Sequence, residues 1–317
     1  MRRCFLFALL LLCACGRERG QVVGVVPKGA NHIFWQTVHA GAIKAGREFG
    51  FDIEWNAPTL EVDSSRQIEI VESMINRRLS GIVLAPVDRR ALVGVVERAA
   101  RESIPVSIFD SAIDTGRIIS YVATDNAEGG RMAARRMGEI LGGKGKVGII
   151  GFMPGSASTM EREQGFQDEI RARYSDIRIV GLHFGMADRS KAMAATENLL
   201  TAHPDLAGIF ADNESSSAGA LQAIRGRGAK VMFVAFDASE QLVAALREGV
   251  IDSLVVQNPF RMGYEATRAV GLKLRGETPP RHVDSGATLV RGEDLQRPEI
   301  KALLFPDIDS YLERNRH

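Results

Sequence analysis

Residues 22–35 read VVGVVPKGANHIFW. The first five positions are apolar but for Gly24, the pattern of a strand buried on both faces in a parallel sheet between helix layers. Pro27, Lys28 and Gly29 stop that strand and turn the chain. Asn31 and His32 follow, and Phe34 and Trp35 open a helix whose apolar face continues through Val38, Ala42, Ala45 and Phe49. In open α/β sheets, ligands lie beyond the carboxyl ends of the strands. Lys28, Asn31, His32, Phe34 and Trp35 are therefore candidate ligand contacts. Three can hydrogen-bond, and two are rings on which a flat apolar face can stack. Either ring can instead be a first-turn core residue, since apolar helix faces are usually core.

Outward from this stretch the same unit repeats. Apolar runs predict strands over 51–55, 81–84, 105–109, 118–122, 147–150, 177–182, 206–210, 231–236 and 254–256. Helical periodicity predicts helices over 34–49, 64–78, 91–101, 127–141, 156–173, 189–202, 214–225, 241–247 and 261–274, with a short one near 298–304. Gly142-Gly143-Lys144-Gly145 precedes a strand and reads as a helix stop, not a phosphate loop. Alternation almost without a break specifies parallel sheets covered on both faces. One sheet holding all these strands would be large, so two Rossmann-like lobes are expected, joined by a hinge of several chain crossings. The expected division is 22–124 plus 259–287 for the first lobe and 125–258 plus 288–317 for the second.

Strand after strand ends in a polar residue: Asp110, Asp125, Asn213, Asp237 and Gln257. Any one of them alone reads as a helix cap or turn residue. Together, at strand ends that converge on one edge, they predict a common polar cleft. Arg162 can add a planar fork of donors. Carboxylates, amides and a guanidinium beside aromatic plates match a polyhydroxylated ring, whose hydroxyls donate and accept while its CH faces are apolar.

The net charge of the chain is +1, so nothing in it calls for nucleic acid or an anionic membrane face. The six histidines have no metal-binding spacing, and there is no GxSxG elbow or Walker loop. No cofactor, metal or catalytic residue is expected. Arg2 and Arg3 precede a short apolar run, Phe5–Cys13, which reads as a targeting segment. Cys4, Cys13 and Cys15 are the only cysteines, so no disulfide framework is possible beyond it. The run Leu12-Cys13-Ala14-Cys15 resembles a bacterial lipoprotein signal. That resemblance implies removal of 1–14, lipid on Cys15 and a polar tether over 15–21.

Seven stretches carry a broader resemblance: PKGANHIFW (27–35), IPVSIFDS (104–111), YVATDNAEGG (121–130), EREQGF (161–166), NLLTAHPDLAGIFADNESSSAGAL (198–221), VAFDAS (234–239) and VVQNPFRMG (255–263). From Val22 to about Arg291 the chain resembles the type I periplasmic binding proteins of the ribose-binding group, the solute-capturing subunits of sugar ABC transporters. The resemblance implies a non-enzymatic, extracytoplasmic protein that closes on a sugar or polyol and is read by a permease with its ATPase subunits. It implies sugar contacts at Lys28, Asn31, His32, Phe34, Trp35 and Asp110 from one lobe, and at Arg162, Asn213 and Asp237 from the other. Gln257, before the hinge proline, is a further contact. Ser111 completes a DS pair found in related binders of varied sugars and polyols, and joins the candidates. Ribose binders carry Arg, Asn and an aromatic where this chain has Ser111, Ala85 and Ala187, so the resemblance does not single out ribose, and the smaller side chains predict a larger pocket. A sensor feeding a membrane receptor is an alternative use of the same fold. A LacI-type regulator would need a basic headpiece before Val22, where only the apolar signal stands.

Overall fold

The computed structural model describes residues 20–30 and 32–312. The leader, Cys15 and Asn31 lie outside the described residues, and with them three of the sequence-based expectations.

The first lobe begins with β1 (Val22–Val26), α1 (Ile33–Phe49), β2 (Asp52–Trp55), α2 (Ser64–Asn76), β3 (Gly81–Leu84), α3 (Val93–Arg101), β4 (Val106–Phe109) and β5 (Ser120–Ala123). Strand β1 is buried on both faces, as its run of valines requires. Val23 and Val25 pack under α1, while Val26 packs on the opposite side with Ile70, Met74 and Val96 of α2 and α3. Gly24 is needed because a Cβ there would fall 2.3 Å from Met74 Sδ. The chain then crosses at Thr124 and Asp125 into α4 (Asn126–Ile140), β6 (Lys144–Gly151), α5 (Ala157–Arg173), β7 (Asp176–Phe184), α6 (Arg189–Ala202), β8 (Leu206–Ala211), α7 (Glu214–Arg227), β9 (Met232–Phe236), α8 (Glu240–Arg247) and β10 (Ser253–Gln257). A second crossing at Asn258 leads back to the first lobe through α9 (Pro259–Leu274) and β11 (His282–Asp284). A third, at Ser285 and Gly286, enters β12 (Ala287–Arg291).

Two six-stranded sheets result, ordered β11-β5-β4-β3-β1-β2 and β12-β10-β9-β8-β6-β7. The first is parallel throughout. The second departs from expectation in β12, which runs antiparallel to β10. The chain leaves the carboxyl end of β11 and reaches β12 two residues later, with Ala287 opposite Gln257, the last residue of β10. Entering at that edge with no crossover helix, it can only run back along its neighbour. Neither β11 nor β12 was anticipated, because three residues and a short mixed run give little periodicity. The crossings are tied together: Ser285 N donates to Ala123 O at 2.8 Å and Thr124 Oγ1 to Gly286 O at 3.1 Å.

Each lobe is braced by a helix that arrives through a crossing. In the first lobe α9 meets α1 where a Cβ on Gly41 would lie 2.1 Å from Phe260 O, and one on Gly263 2.0 Å from Val38 O. In the second, α4 meets α5 in the same way, at Gly130 against Arg162 O (2.0 Å) and Gly165 against Ala127 O (2.2 Å). Backbones can approach this closely only without side chains between them.

The tail corrects the expected division. After a 3-10 turn, Gly292–Gln296, helix α10 (Pro298–Leu304) stays with the second lobe, where Ile300 and Leu295 enter its core. The chain then crosses a fourth time, and α11 (Asp309–Leu312) docks on α1 of the first lobe. Arg47 Nη2 donates to Tyr311 O at 3.1 Å, and the Tyr311 ring meets Phe260 edge-on at 5.4 Å. A four-residue helix has no period to read, so the sequence could not place it. Among the described residues, no helix is long and apolar enough to cross a membrane.

Candidate functional site

The carboxyl ends of both sheets face each other across one crevice. From the first lobe, the turn after β1 supplies Lys28, the start of α1 supplies His32, Phe34 and Trp35, the loop after β2 supplies Glu61, and the end of β4 supplies Asp110. From the second lobe, the loop after β6 supplies Phe152, α5 supplies Ser158, Thr159 and Arg162, the start of α7 supplies Asn213 and Glu214, and β9 and β10 end in Asp237 and Gln257. These side chains line a cleft that is open to solvent on one side, with about 390 Å³ of atom-free space when the solvent at its mouth is included.

Asp110 and Asp237 hold equivalent places, each at the end of the third strand of its sheet, and each has a left-handed backbone (φ 62° and 66°). At Asp110 the strain is set by a γ-turn in which Ser111 N donates to Phe109 O at 2.7 Å. Asp237 Oδ1 accepts from Gln257 Nε2 at 2.7 Å and Oδ2 from Glu214 N at 3.1 Å; burial raises its pKa above the ordinary value. Arg162, 2 % exposed, is held by Nε to Asn126 Oδ1 and Nη1 to Asp212 O, both at 2.9 Å, with its guanidinium 4.0 Å from the Phe236 ring centre. Among the described residues, its Nη2 and the Oε1 of Gln257 are buried without a partner.

Arg162 Nη1 holds the backbone carbonyl of Asp212, whose buried carboxyl neighbours that of Glu163. Burial raises both pKa values, that of Glu163 to about 7, and the neighbouring carboxyl adds to the rise at Asp212.

Lys28 is 3 % exposed and fully engaged. Its Nζ lies 2.7 Å from Asp110 Oδ2 and 2.6 Å from Ser111 Oγ, and reaches across the cleft to Ser156 Oγ (3.2 Å) and Ser158 Oγ (3.3 Å). Ser111 Oγ also donates to Ser158 Oγ at 2.7 Å. Ser111 therefore backs Lys28 and does not line the cavity. The expected enlargement of the pocket fails at its three positions for a common reason, since none of them opens into it. Ser111 is tied to Lys28, Ala85 is core beneath α1, and Ala187 packs on the cross-lobe cluster of Val87, Phe152 and Met153.

Trp35 is 4 % exposed and serves two roles: core residue against Phe109 and wall of the cavity. Its Nε1 donates to Glu61 Oε1 at 2.8 Å. Asp125 lies outside the cavity and caps α4, accepting from Glu128 N at 2.8 Å. Asn213 caps α7, accepting from Ser216 N at 3.2 Å, and also lines the cavity. Glu61, Phe152, Ser158, Thr159 and Glu214 were missed. Phe152 follows β6 and was within reach of the strand-end rule. Glu214 reads as a first-turn helix acid, and Glu61 sits in a loop with no pattern.

Two lobes of mostly parallel strands, joined by strand-end crossings and meeting at a buried polar crevice, have the architecture of a two-lobed solute-binding protein. Residues 23–278 match the periplasmic binding protein domain, and the chain belongs to that family. The ribose import binding protein RbsB of Bacillus subtilis is 29% identical over 283 residues, 85% of this chain and 91% of its own. A carbohydrate transporter solute-binding protein of Agrobacterium radiobacter, solved in complex with D-arabinose, is 32% identical with a TM-score of 0.87, covering 90% of this chain and 99% of the other. An ABC transporter solute-binding protein of Agrobacterium vitis, with bound D-fucose, is 31% identical with a TM-score of 0.87, covering 90% and 100%. Proteins of this family are extracytoplasmic substrate-binding components of transporters, not enzymes.

Proposed function

We propose that the cavity takes one neutral sugar or polyol of monosaccharide size and presents it to an ABC permease. The observation that carries this reading is the unpaired Arg162 Nη2 and Gln257 Oε1, a donor and an acceptor buried in the wall beside Asp237. Left unmade, such bonds cost about 1–3 kcal/mol each, and a ring bearing adjacent hydroxyls makes both. The cations Lys28 and Arg162 stand against Asp110, Asp237, Glu61 and Glu214, two of which burial biases toward their neutral forms. Each cation already faces a protein carboxyl, Lys28 that of Asp110 and Arg189 that of Glu214, both at 2.7 Å, and Arg162 that of Asp237, which disfavours sugar acids and phosphates.

In this reading Asp110 and Asp237 accept hydroxyls from opposite lobes, and Arg162, Asn213 and Gln257 complete the second-lobe contacts. Phe34, Trp35 and Phe152 cover the CH faces, and Lys28 and Ser111 hold Asp110 in place. Asn31 adds a first-lobe amide, and lipid on Cys15 anchors the protein to the membrane. The test is calorimetry against D-ribose, D-arabinose, D-fucose, D-allose, xylitol and the matching sugar acids. Tight binding of one or more neutral members is expected. Binding of the acids alone, or of nothing, rejects the reading.

A further inference from the structure

In the same cleft, His32, Glu61 and Glu214 form a charged group that joins the two lobes. His32 caps the start of α1 in the first lobe. Its Nδ1 lies 2.9 Å from Glu214 Oε2, on α7 of the second lobe, and its Nε2 lies 3.6 Å from Glu61 Oε1, in its own lobe. Both carboxylates are held from behind, Glu61 by Trp35 Nε1 at 2.8 Å and Glu214 by Arg189 Nη2 at 2.7 Å. A neutral imidazole has one N–H and one lone pair, so one ring nitrogen would face a carboxylate oxygen with no proton between them. The imidazolium donates to Glu214 and sets its positive charge 3.6 Å from Glu61, beyond hydrogen-bond distance.

We propose that His32 is a proton-dependent clasp between the lobes, binding Glu214 across the cleft as imidazolium so that closure over the solute takes up a proton. This rests on reading the cleft as the sugar site, and adds a residue whose task is closure.

The surroundings agree in sign. The hydrogen bond to Glu214 raises the His32 pKa above 6.5; burial and Arg189 oppose it, and the charges of Glu61 and Glu214 reinforce it. Burial opposes ionisation of Glu214, but His32 and Arg189 outweigh it and hold its carboxyl below the ordinary range. Burial raises the Glu61 pKa, which His32, Trp35 and Lys28 counteract and Asp110 augments. Asp237, beyond Glu214, and Ser239, which hydrogen-bonds it, complete the groups around the clasp. When the lobes part, Glu214 and Arg189 leave with the second lobe and the imidazole returns toward its ordinary value. The clasp therefore contributes fully below about pH 6.5, and its contribution is lost as pH rises through the higher closed-state value. The Lys28 contacts to Ser156 and Ser158 also bridge the lobes, so closure weakens at high pH but does not fail.

The experiment is calorimetry of the protein with D-ribose, D-arabinose and D-fucose at pH 6.0 and 8.5, in two buffers of different ionisation heat. Affinity is expected to fall by about three- to thirtyfold at pH 8.5, with net proton uptake on binding near neutrality. His32→Gln should flatten both effects. An unchanged pH profile in that variant, or pH-independent affinity in the parent protein, overturns the proposal. If His32→Gln does not fold, NMR titration of the His32 imidazole decides. Its pKa should rise when sugar is added, and an unmoved value rejects the clasp. If none of these sugars binds at either pH, the sugar reading is what has failed. Interlobe distances from paired spin labels on the ligand-free protein then test the clasp. More closed molecules are expected at pH 6.0 than at 8.5, and equal populations overturn it.

Discussion

Asp110 and Asp237 sit at equivalent strand ends with left-handed backbones, a conformation that costs about 1–3 kcal/mol for a residue other than glycine. Their surroundings differ, and so should their loss. Asp237→Ala removes hydrogen bonds to Gln257 and Glu214 N together with the proposed sugar contact, and binding should weaken by about 1–3 kcal/mol. Asp110→Ala should weaken binding to a similar degree and also strand the Lys28 ammonium, lowering stability by about 3–5 kcal/mol. Calorimetry and denaturant unfolding on both variants separate these effects. The strand-end rule found these residues, Asn213 and Gln257 because each ends an apolar run. It overreached at Asp125, where the ordinary capping role accounts for everything. It could not reach Glu61 or Glu214, whose place at the cleft depends on how two distant loops meet.

At the scale of elements, the helix pairs are held by backbone contact. Gly130→Val would push a side chain onto the carbonyl of Arg162, and so disturb α5 and the guanidinium it carries. A loss of about 1–3 kcal/mol in stability is expected, with weaker sugar binding beyond that loss. Gly142→Ala, where no atom lies within 4 Å, serves as a comparison for strain at positive φ alone. The Glu163–Asp212 pair predicts a pH dependence of its own. Its folded-state pKa values exceed the unfolded ones, so the folded protein binds more protons in that range, and stability from this pair falls as pH rises from about 4.5 through about 7. Glu163→Gln should flatten that fall in thermal melts between pH 5 and 8; an identical slope in both proteins shows that the pair does not titrate there. The long helices and central strands were legible because their periodicity is strong. Strands β11, β12 and helix α11 were not, since their pairing is imposed by the crossings and not by their own composition.

At the scale of the molecule, the lobes are held together by more than any ligand. Lys28 reaches Ser156 and Ser158, Arg89 N donates to Gly155 O at 3.1 Å, and Val87 packs with Phe152 and Met153. The two-lobe plan and its first two crossings were readable from the alternation of strands with helices and from the polar residues that end β5 and β10. The return of the tail to the first lobe was not, and it alters the mechanics. Strand β1 and helix α11 lie on the same lobe, so the described chain starts and finishes there, and the second lobe is built from two excursions made in between. Dyes placed at the two extremities would thus ride on one rigid half, and their energy transfer should stay constant while solute comes and goes. A sensor built from this protein needs one fluorophore moved inward, onto the half that owns neither end.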